Sequence, residues 1–367
     1  MATILVDLLS LTGSKGGMEV YTRELYQQFA VQAPQHEFVG FASTEAAAMD
    51  LTWFPGRIVD SGISGENRLQ WARGELLAVN PAARRAGADL IHSPATLGPH
   101  RRDIPTVVTM HDMLYWSHPE FMSTPLYTAP VKLMERIVSR RADRVVTISE
   151  ASAEAIGRYL SVPRSRISVI HLAGRAIAGV DRDRHRPDQP LLLGTGNRRP
   201  HKNWETLVRA LALIDPPQRP RLALTGSGPD DPMIALVAEL ELQPWVELHG
   251  WIEESELADL YSRATLLATP SFCEGFSLTP VEGMLSGIPV LISDIAVHRE
   301  VAGDAAVYVD PSDPAAMAAT IARVVSDPAL LAEHARKGLD QASRYSWEDT
   351  ARRTLAVFDE VLTASGR

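Results

Sequence analysis

Short apolar runs alternate along this chain with longer stretches in which apolar positions recur every third or fourth residue. The runs read as strands and the periodic stretches as helices, and their regular alternation predicts parallel sheets flanked by helices. In the first half the expected strands are 3–9, 89–92, 106–110, 144–148 and 167–170. A glycine loop at 13–17 precedes a helix carrying Val20, Tyr21, Leu25 and Phe29 on one face. Residues 179–190, which include Asp181-Arg-Asp-Arg-His-Arg-Pro, have no period and read as a linker. Beyond them the rhythm restarts, with strands at 191–194, 221–225, 246–248, 266–269, 290–293 and 306–309. Helices are expected at 203–214, with Asn203 as its N-cap, and at 255–262, 314–326 and 328–345. An amphipathic helix at 347–362 ends the pattern. The prediction is an α/β chain of two doubly wound, Rossmann-like domains, 1–187 and 188–345, with 346–367 as a terminal helix. Ligands of such sheets bind at the carboxyl ends of the strands, so two facing sheets would hold them in the cleft between.

Length agrees with two domains, since 367 residues exceed one ordinary core. An apolar fraction of 45% with 22% charged residues excludes disorder, collagen and coiled coil. Ile4-Leu5-Val6 follows no basic segment and is cut short by Asp7, which makes it a strand rather than a signal peptide. One cysteine, Cys273, cannot pair within the chain, and a cytoplasmic setting is the expectation. The net charge of −9 is uneven: 21 Lys/Arg stand against 19 Asp/Glu up to Pro187, and 15 against 26 from Asp188 onward. That acidity argues against nucleic-acid binding. The near-neutral first half leaves room for an anionic acceptor or a peripheral contact at the inner face of a membrane. Lys132, Arg136 and Arg140, four apart on one helix face, form a basic stripe that suits solvent or such a contact.

The most informative segment is Pro270-Ser-Phe-Cys-Glu-Gly-Phe-Ser-Leu-Thr-Pro-Val-Glu-Gly-Met-Leu-Ser-Gly-Ile-Pro-Val290. It leaves a strand, turns through Gly275 and opens a helix near Thr279-Pro280. Glu274 falls on the loop and Glu282 in the first helical turn, while the backbone N–H groups of Gly275, Phe276, Ser277 and Leu278 suit an anion beside the helix terminus. Thr279-Pro-Val-Glu282 also fits a capping box, which would make Glu282 structural. A second segment, Gly194-Thr-Gly-Asn-Arg-Arg-Pro-His-Lys-Asn203, joins a strand to a helix. Arg198 and Lys202 there suit a diphosphate; a dinucleotide fingerprint fails because Arg199 stands where a small residue is required. Strand 106–110 delivers His111-Asp112 to its carboxyl end, where a histidine suits a sugar hydroxyl or a proton in transfer.

The Glu274–Glu282 segment resembles the Glu-x7-Glu motif of family 4 of the retaining glycosyltransferases (GT4), which have the GT-B fold. Ser277 departs from the family's usual glycine and Gly283 from its usual alanine. The resemblance spans nearly the whole chain and implies a nucleotide-diphosphate sugar as donor, with no cofactor and no metal. It implies that Arg198, Lys202 and the loop Gly275–Leu278 hold the diphosphate, that Gly16 and Gly17 reach it from the other domain, and that Glu282 holds the ribose. Glu274 and His111 would position the transferring sugar. The His-Asp pair is similar to that of the mannosyltransferase-like branch, which points to GDP-mannose, with UDP- and dTDP-sugars open. The acceptor would be a glycan, a lipid-linked sugar or a small molecule. A sugar-nucleotide isomerase or epimerase of GT-B architecture, or a non-catalytic sugar-nucleotide binder, would share these features.

Besides the basic stripe, for which a solvated face is the preferred reading, two features are discounted. Asp181-x-Asp183 spells a metal-binding pair but lies in the arginine-filled linker. Cys273 beside Glu274 reads as a small packed thiol. His92, His118 and His171 stand as neighbours of a cleft.

Overall fold

The computed structural model describes residues 1–13, 16–101, 103–122, 125–181 and 189–366. The chain divides into two compact units: Met1–Leu172 with Ser346–Arg367, and Ala173–Tyr345. The division falls upstream of the boundary expected at Pro187. Most of the expected linker, Asp183 included, lies outside the described residues, as does Lys15 of the glycine loop.

The first unit is built on seven parallel strands: β1 Thr3–Leu8, β2 Glu37–Ala42, β3 Gly56–Asp60, β4 Leu90–Ser93, β5 Thr106–Met110, β6 Arg144–Thr147 and β7 Ile167–Val169. Their order is β3-β2-β1-β4-β5-β6-β7, so the chain reverses direction across the sheet between β1 and β4. The central strands are buried on both faces, which is why they read as continuous apolar runs. Strands β2 and β3 escape that signature. Gly40 interrupts β2 because a Cβ there would lie 2.7 Å from Ile58 and 2.9 Å from Leu8. Strand β3 at the sheet edge is half exposed. The terminal helix Trp347–Ala364 belongs to this unit and packs on Gly17–Gln32. Phe358 meets Phe29 and His92 at ring-centroid distances of 5.8 and 5.0 Å, and the Thr350 hydroxyl donates to the His171 carbonyl at 2.8 Å.

The second unit holds six parallel strands: β8 Leu191–Thr195, β9 Arg221–Thr225, β10 Val246–Leu248, β11 Leu266–Thr269, β12 Val290–Ser293 and β13 Val307–Val309. The order β10-β9-β8-β11-β12-β13 reverses between β8 and β11. The loops after those two strands carry Lys202 and Glu274, so both are delivered to the crevice where such sheets bind ligands.

Asn203 does not cap the following helix, Trp204–Ala212. Its backbone is left-handed (φ +59°) and its amide nitrogen donates to the carbonyls of Pro270 (2.9 Å) and Pro311 (2.7 Å). An N-cap needs an extended backbone and a side-chain acceptor; here the residue instead ties the Lys202 loop to the strand end that launches Glu274. The basic stripe is also partly accounted for. Lys132 and Arg136 lie over the Trp116 ring at 5.3 and 4.9 Å, and the indole N–H donates to the buried carboxyl of Glu135 at 2.6 Å. Burial pushes the Glu135 carboxyl up to about 7. Among the described residues, no single helix is long and apolar enough to cross a membrane.

Candidate active site

In the second unit, Lys202 Nζ donates to Glu274 Oε1 at 2.7 Å, and the Ser271 hydroxyl donates to the same oxygen at 2.7 Å. The carboxyl is about 10% exposed and the ammonium 22%. Burial alone would raise the Glu274 pKa, but the adjacent Lys202 charge and the two hydrogen bonds outweigh it and hold the carboxyl below its ordinary value. A charged pair is thus kept at the end of β11.

From Glu274 the chain passes through Gly275 and Phe276 into the helix Leu278–Leu285. Phe276 is buried edge-on against Tyr345, so its side chain serves packing. Ser277 occupies the N-cap position but is left-handed (φ +78°), and its side chain makes no capping hydrogen bond to this helix. Such a backbone costs a non-glycine residue about 1–3 kcal/mol. The capping-box alternative for Glu282 fails, because Thr279 lies inside the helix rather than at its start. Glu282 stands beside the buried Tyr261, whose phenol is raised by burial and further by the Glu282 charge, against a hydrogen bond with Thr195.

Arg198 is held by protein partners. Its side chain is 6% exposed and turns away from Lys202: Nε donates to Asp231 Oδ2 at 2.9 Å, and the remaining nitrogens reach the carbonyls of Gly196, Thr225 and Leu224 at 3.0, 2.7 and 3.2 Å. Those partners bind the β8 and β9 loops together. The loops approach so closely that a Cβ on Gly226, itself left-handed at φ +87°, would meet the Gly196 carbonyl oxygen at 2.8 Å. In this arrangement the Arg198 guanidinium is engaged by protein partners. Beside it opens a pocket of about 490 Å³ at the ends of β9 and β10, lined by Pro229, Asp231, Ile234, Leu248, His249 and Trp251. Trp251 is 80% exposed.

His111, Gly16 and Gly17 belong to the first unit. His111 is buried at the end of β5, with Nε2 donating to the Pro94 carbonyl at 2.7 Å. That bond fixes the neutral tautomer with Nδ1 as acceptor, and burial pushes the ring down to about 4 despite the Pro94 bond. Its ring sits 4.9 Å from Tyr21, edge to face, on the helix opened by the glycine loop. Gly16 has φ +58° and ψ −121°, a conformation reserved for glycine. The Glu19 carboxylate steadies the loop by accepting from the N–H groups of Thr12 (2.8 Å) and Gly13 (2.9 Å). His92 is a satisfied core histidine, bonded to Tyr26 at 2.7 Å and Thr109 at 3.1 Å. Sequence reasoning missed Ser271, Asp231, Tyr261 and His298, which become visible only through contacts distant in the chain.

Two doubly wound parallel sheets, each with its motifs on the loops at the strand ends, have the architecture of the GT-B glycosyltransferases, and comparison with known proteins agrees. The family model "Glycosyltransferase Family 4" matches residues 15–173 and "Glycosyl transferases group 1" matches residues 180–342. The chain belongs to these GT4-type glycosyltransferases. It is 29% identical over 289 residues to O-antigen chain mannosyltransferase B of Escherichia coli, covering 73% of this chain and 74% of that one. It is 28% identical over 403 residues to D-inositol 3-phosphate glycosyltransferase of Streptomyces avermitilis, covering 97% and 85%. Among solved structures, sucrose-phosphate synthase from Thermosynechococcus elongatus aligns with a TM-score of 0.79 at 20% identity, over 99% of this chain and 100% of that one. HepE from Anabaena, in complex with UDP and glucose, aligns with a TM-score of 0.75 at 18% identity, over 98% and 100%.

Proposed function

We propose that this chain is a retaining glycosyltransferase that moves a sugar, mannose from GDP-mannose as the first candidate, from a nucleotide-diphosphate donor to an acceptor hydroxyl. The observation that carries the reading is the Lys202–Glu274 ion pair beside the uncapped start of the helix Leu278–Leu285. When the bond from the anomeric carbon to the phosphate oxygen breaks, its electron pair leaves with the diphosphate and positive charge develops on the sugar ring. Lys202 and the helix N–H groups are suited to the first charge and the Glu274 carboxylate to the second. Glu282 is assigned to the ribose, and the pocket beside Trp251 to the base. Neutral His111, with Nδ1 as acceptor, suits a sugar hydroxyl; a ring titrating near 4 is not a proton donor at neutral pH. The acceptor attacks on the face the diphosphate leaves, and its proton passes to the departing phosphate. Arg198 takes no part in the clamp. The mannosyltransferase relative supports the sugar assignment, and the UDP complexes of HepE support a nucleoside diphosphate as the bound group.

Lys202→Ala tests the reading. Loss of a hydrogen bond to a charged group costs about 1.5–3 kcal/mol, so affinity for GDP or UDP should fall roughly 10- to 100-fold with the fold intact. Unchanged affinity in calorimetry would return Lys202 to a simple partner of Glu274.

Because a lysine and a helix terminus are available for the phosphate charge, transfer should also survive EDTA. This is checked by following nucleoside-diphosphate release with the chelator present. Activity that vanishes in EDTA and returns with manganese or magnesium would contradict it and bring Asp181 and Asp183 back into consideration.

A further inference from the structure

Ser277 is the residue at which the chain departs from the glycine usual in its family, and its hydroxyl does something unusual for a serine in that place. A serine at an N-cap ordinarily accepts from the first-turn N–H groups. Here it caps nothing: its Oγ lies 3.1 Å from Nε2 of His298, on the helix Ala296–Ala302. His298 is 1% exposed, and its Nδ1 lies 2.9 Å from the Ser293 carbonyl at the end of β12. A carbonyl only accepts, so Nδ1 carries the proton. In the neutral ring Nε2 then accepts from the Ser277 hydroxyl. Burial favours that neutral ring, against the pull of the Glu274 charge. Two backbone facts give the bond its meaning. Ser277 is left-handed, a conformation a serine keeps only when its surroundings hold it, and Pro280 has no N–H. The hydroxyl is thus drawn back from the helix start, where the N–H groups are left without a side-chain cap.

We propose that His298 is a positioning residue of the donor site: through its hydrogen bond to Ser277 it holds the left-handed turn that opens the helix Leu278–Leu285, keeping the uncapped N–H groups aimed at the donor diphosphate beside Lys202. This rests on the donor-site reading above. Serine and histidine together do here what glycine does unaided, since glycine adopts this turn without strain.

The test titrates GDP and UDP, with GMP and UMP as controls lacking the second phosphate, against wild type, His298→Ala, Ser277→Ala and the double variant Ser277→Gly/His298→Ala beside its Ser277→Gly parent. Losing a single hydrogen bond of this kind should lower the ratio of diphosphate to monophosphate affinity by about five- to tenfold in His298→Ala. Ser277→Ala removes only one oxygen and should show the same loss even if His298→Ala folds poorly. On the Ser277→Gly parent, His298→Ala should produce less than about half that fold-change, because the glycine no longer needs the bond. His298→Gln, which keeps an acceptor for the hydroxyl, should recover part of the ratio. A purely packing role predicts lower melting temperatures with the ratio unmoved in all of these, and that result overturns the proposal. If Lys202→Ala weakens the diphosphate while His298→Ala and Ser277→Ala leave the ratio at its wild-type value, this inference alone fails. If the wild type binds neither diphosphate, the donor-site reading fails and takes this inference with it.

Discussion

Glu274→Gln should lower turnover by about 10²–10³-fold, the scale seen when an electrostatic group aimed at transition-state charge is removed, while free nucleoside diphosphate binds nearly as before. Glutamine has the shape of glutamate and still accepts from Lys202 Nζ and the Ser271 hydroxyl, which in the native protein meet one carboxylate oxygen at 2.7 Å each. What it loses is charge. The free nucleotide places no positive sugar near that carboxylate, so binding has little to lose, and Lys202, released from a charged partner, is freer to meet phosphate. Side-by-side measurement of kcat and of GDP or UDP affinity separates the two. A variant that turns over at the wild-type rate would remove Glu274 from the reaction. The pH dependence carries a sign as well. The Glu274 pKa is held below its ordinary value, so the carboxylate stabilises the folded protein above pH 4.5 and that contribution disappears as pH falls through the lowered pKa. The glutamine variant should lack this acid-side component of the stability curve.

Arg198→Ala should unfold the second unit more easily by about 3–5 kcal/mol, because it strips one partner from a buried pair and leaves the Asp231 charge with only the Met233 N–H on its other oxygen. Both side chains are nearly inaccessible, at 6% and 3% exposure, so solvent screening offers little relief. Three backbone carbonyls lose a donor at the same time. Asp231→Ala should be comparably damaging, and the double variant less than additive. Thermal or urea unfolding checks this. If Arg198→Ala instead melts like wild type and weakens only nucleoside-diphosphate binding, the arginine reaches the donor after all and its inward arrangement is not the working one.

The sequence pattern revealed what is set by local chemistry. The parallel strands β1, β4, β5, β8, β11 and β12 are buried runs short enough to be strands, and all were readable as such. Edge strand β3 is half exposed and its neighbour β2 is interrupted by Gly40, so neither carries the same mark. At the site, Lys202 and Glu274 were legible because each follows a strand in a distinctive motif, and the ion pair joins them across 72 positions. Arg198 had the same motif credentials as Lys202. What separates them is Asp231, 33 residues away in a loop with no motif of its own. Asn203 looked like a cap because serine, threonine, aspartate and asparagine usually are; carbonyls of Pro270 and Pro311 claimed it instead. His298 had no local signal whatever, since its meaning depends on Ser277, 21 residues earlier.

The most direct measurement of the central claim is a thermal-shift panel of GDP, UDP, ADP and dTDP against the wild type and Lys202→Ala. A ligand at about 100 times its dissociation constant adds roughly 2.7 kcal/mol to the folded state, which for a unit of this size raises the melting temperature by several degrees. At least one of the four should do so with the wild type, and the same concentration should do far less with Lys202→Ala. No shift from any of them, or an equal shift in both proteins, would contradict a donor diphosphate held at Lys202 and the start of the helix Leu278–Leu285.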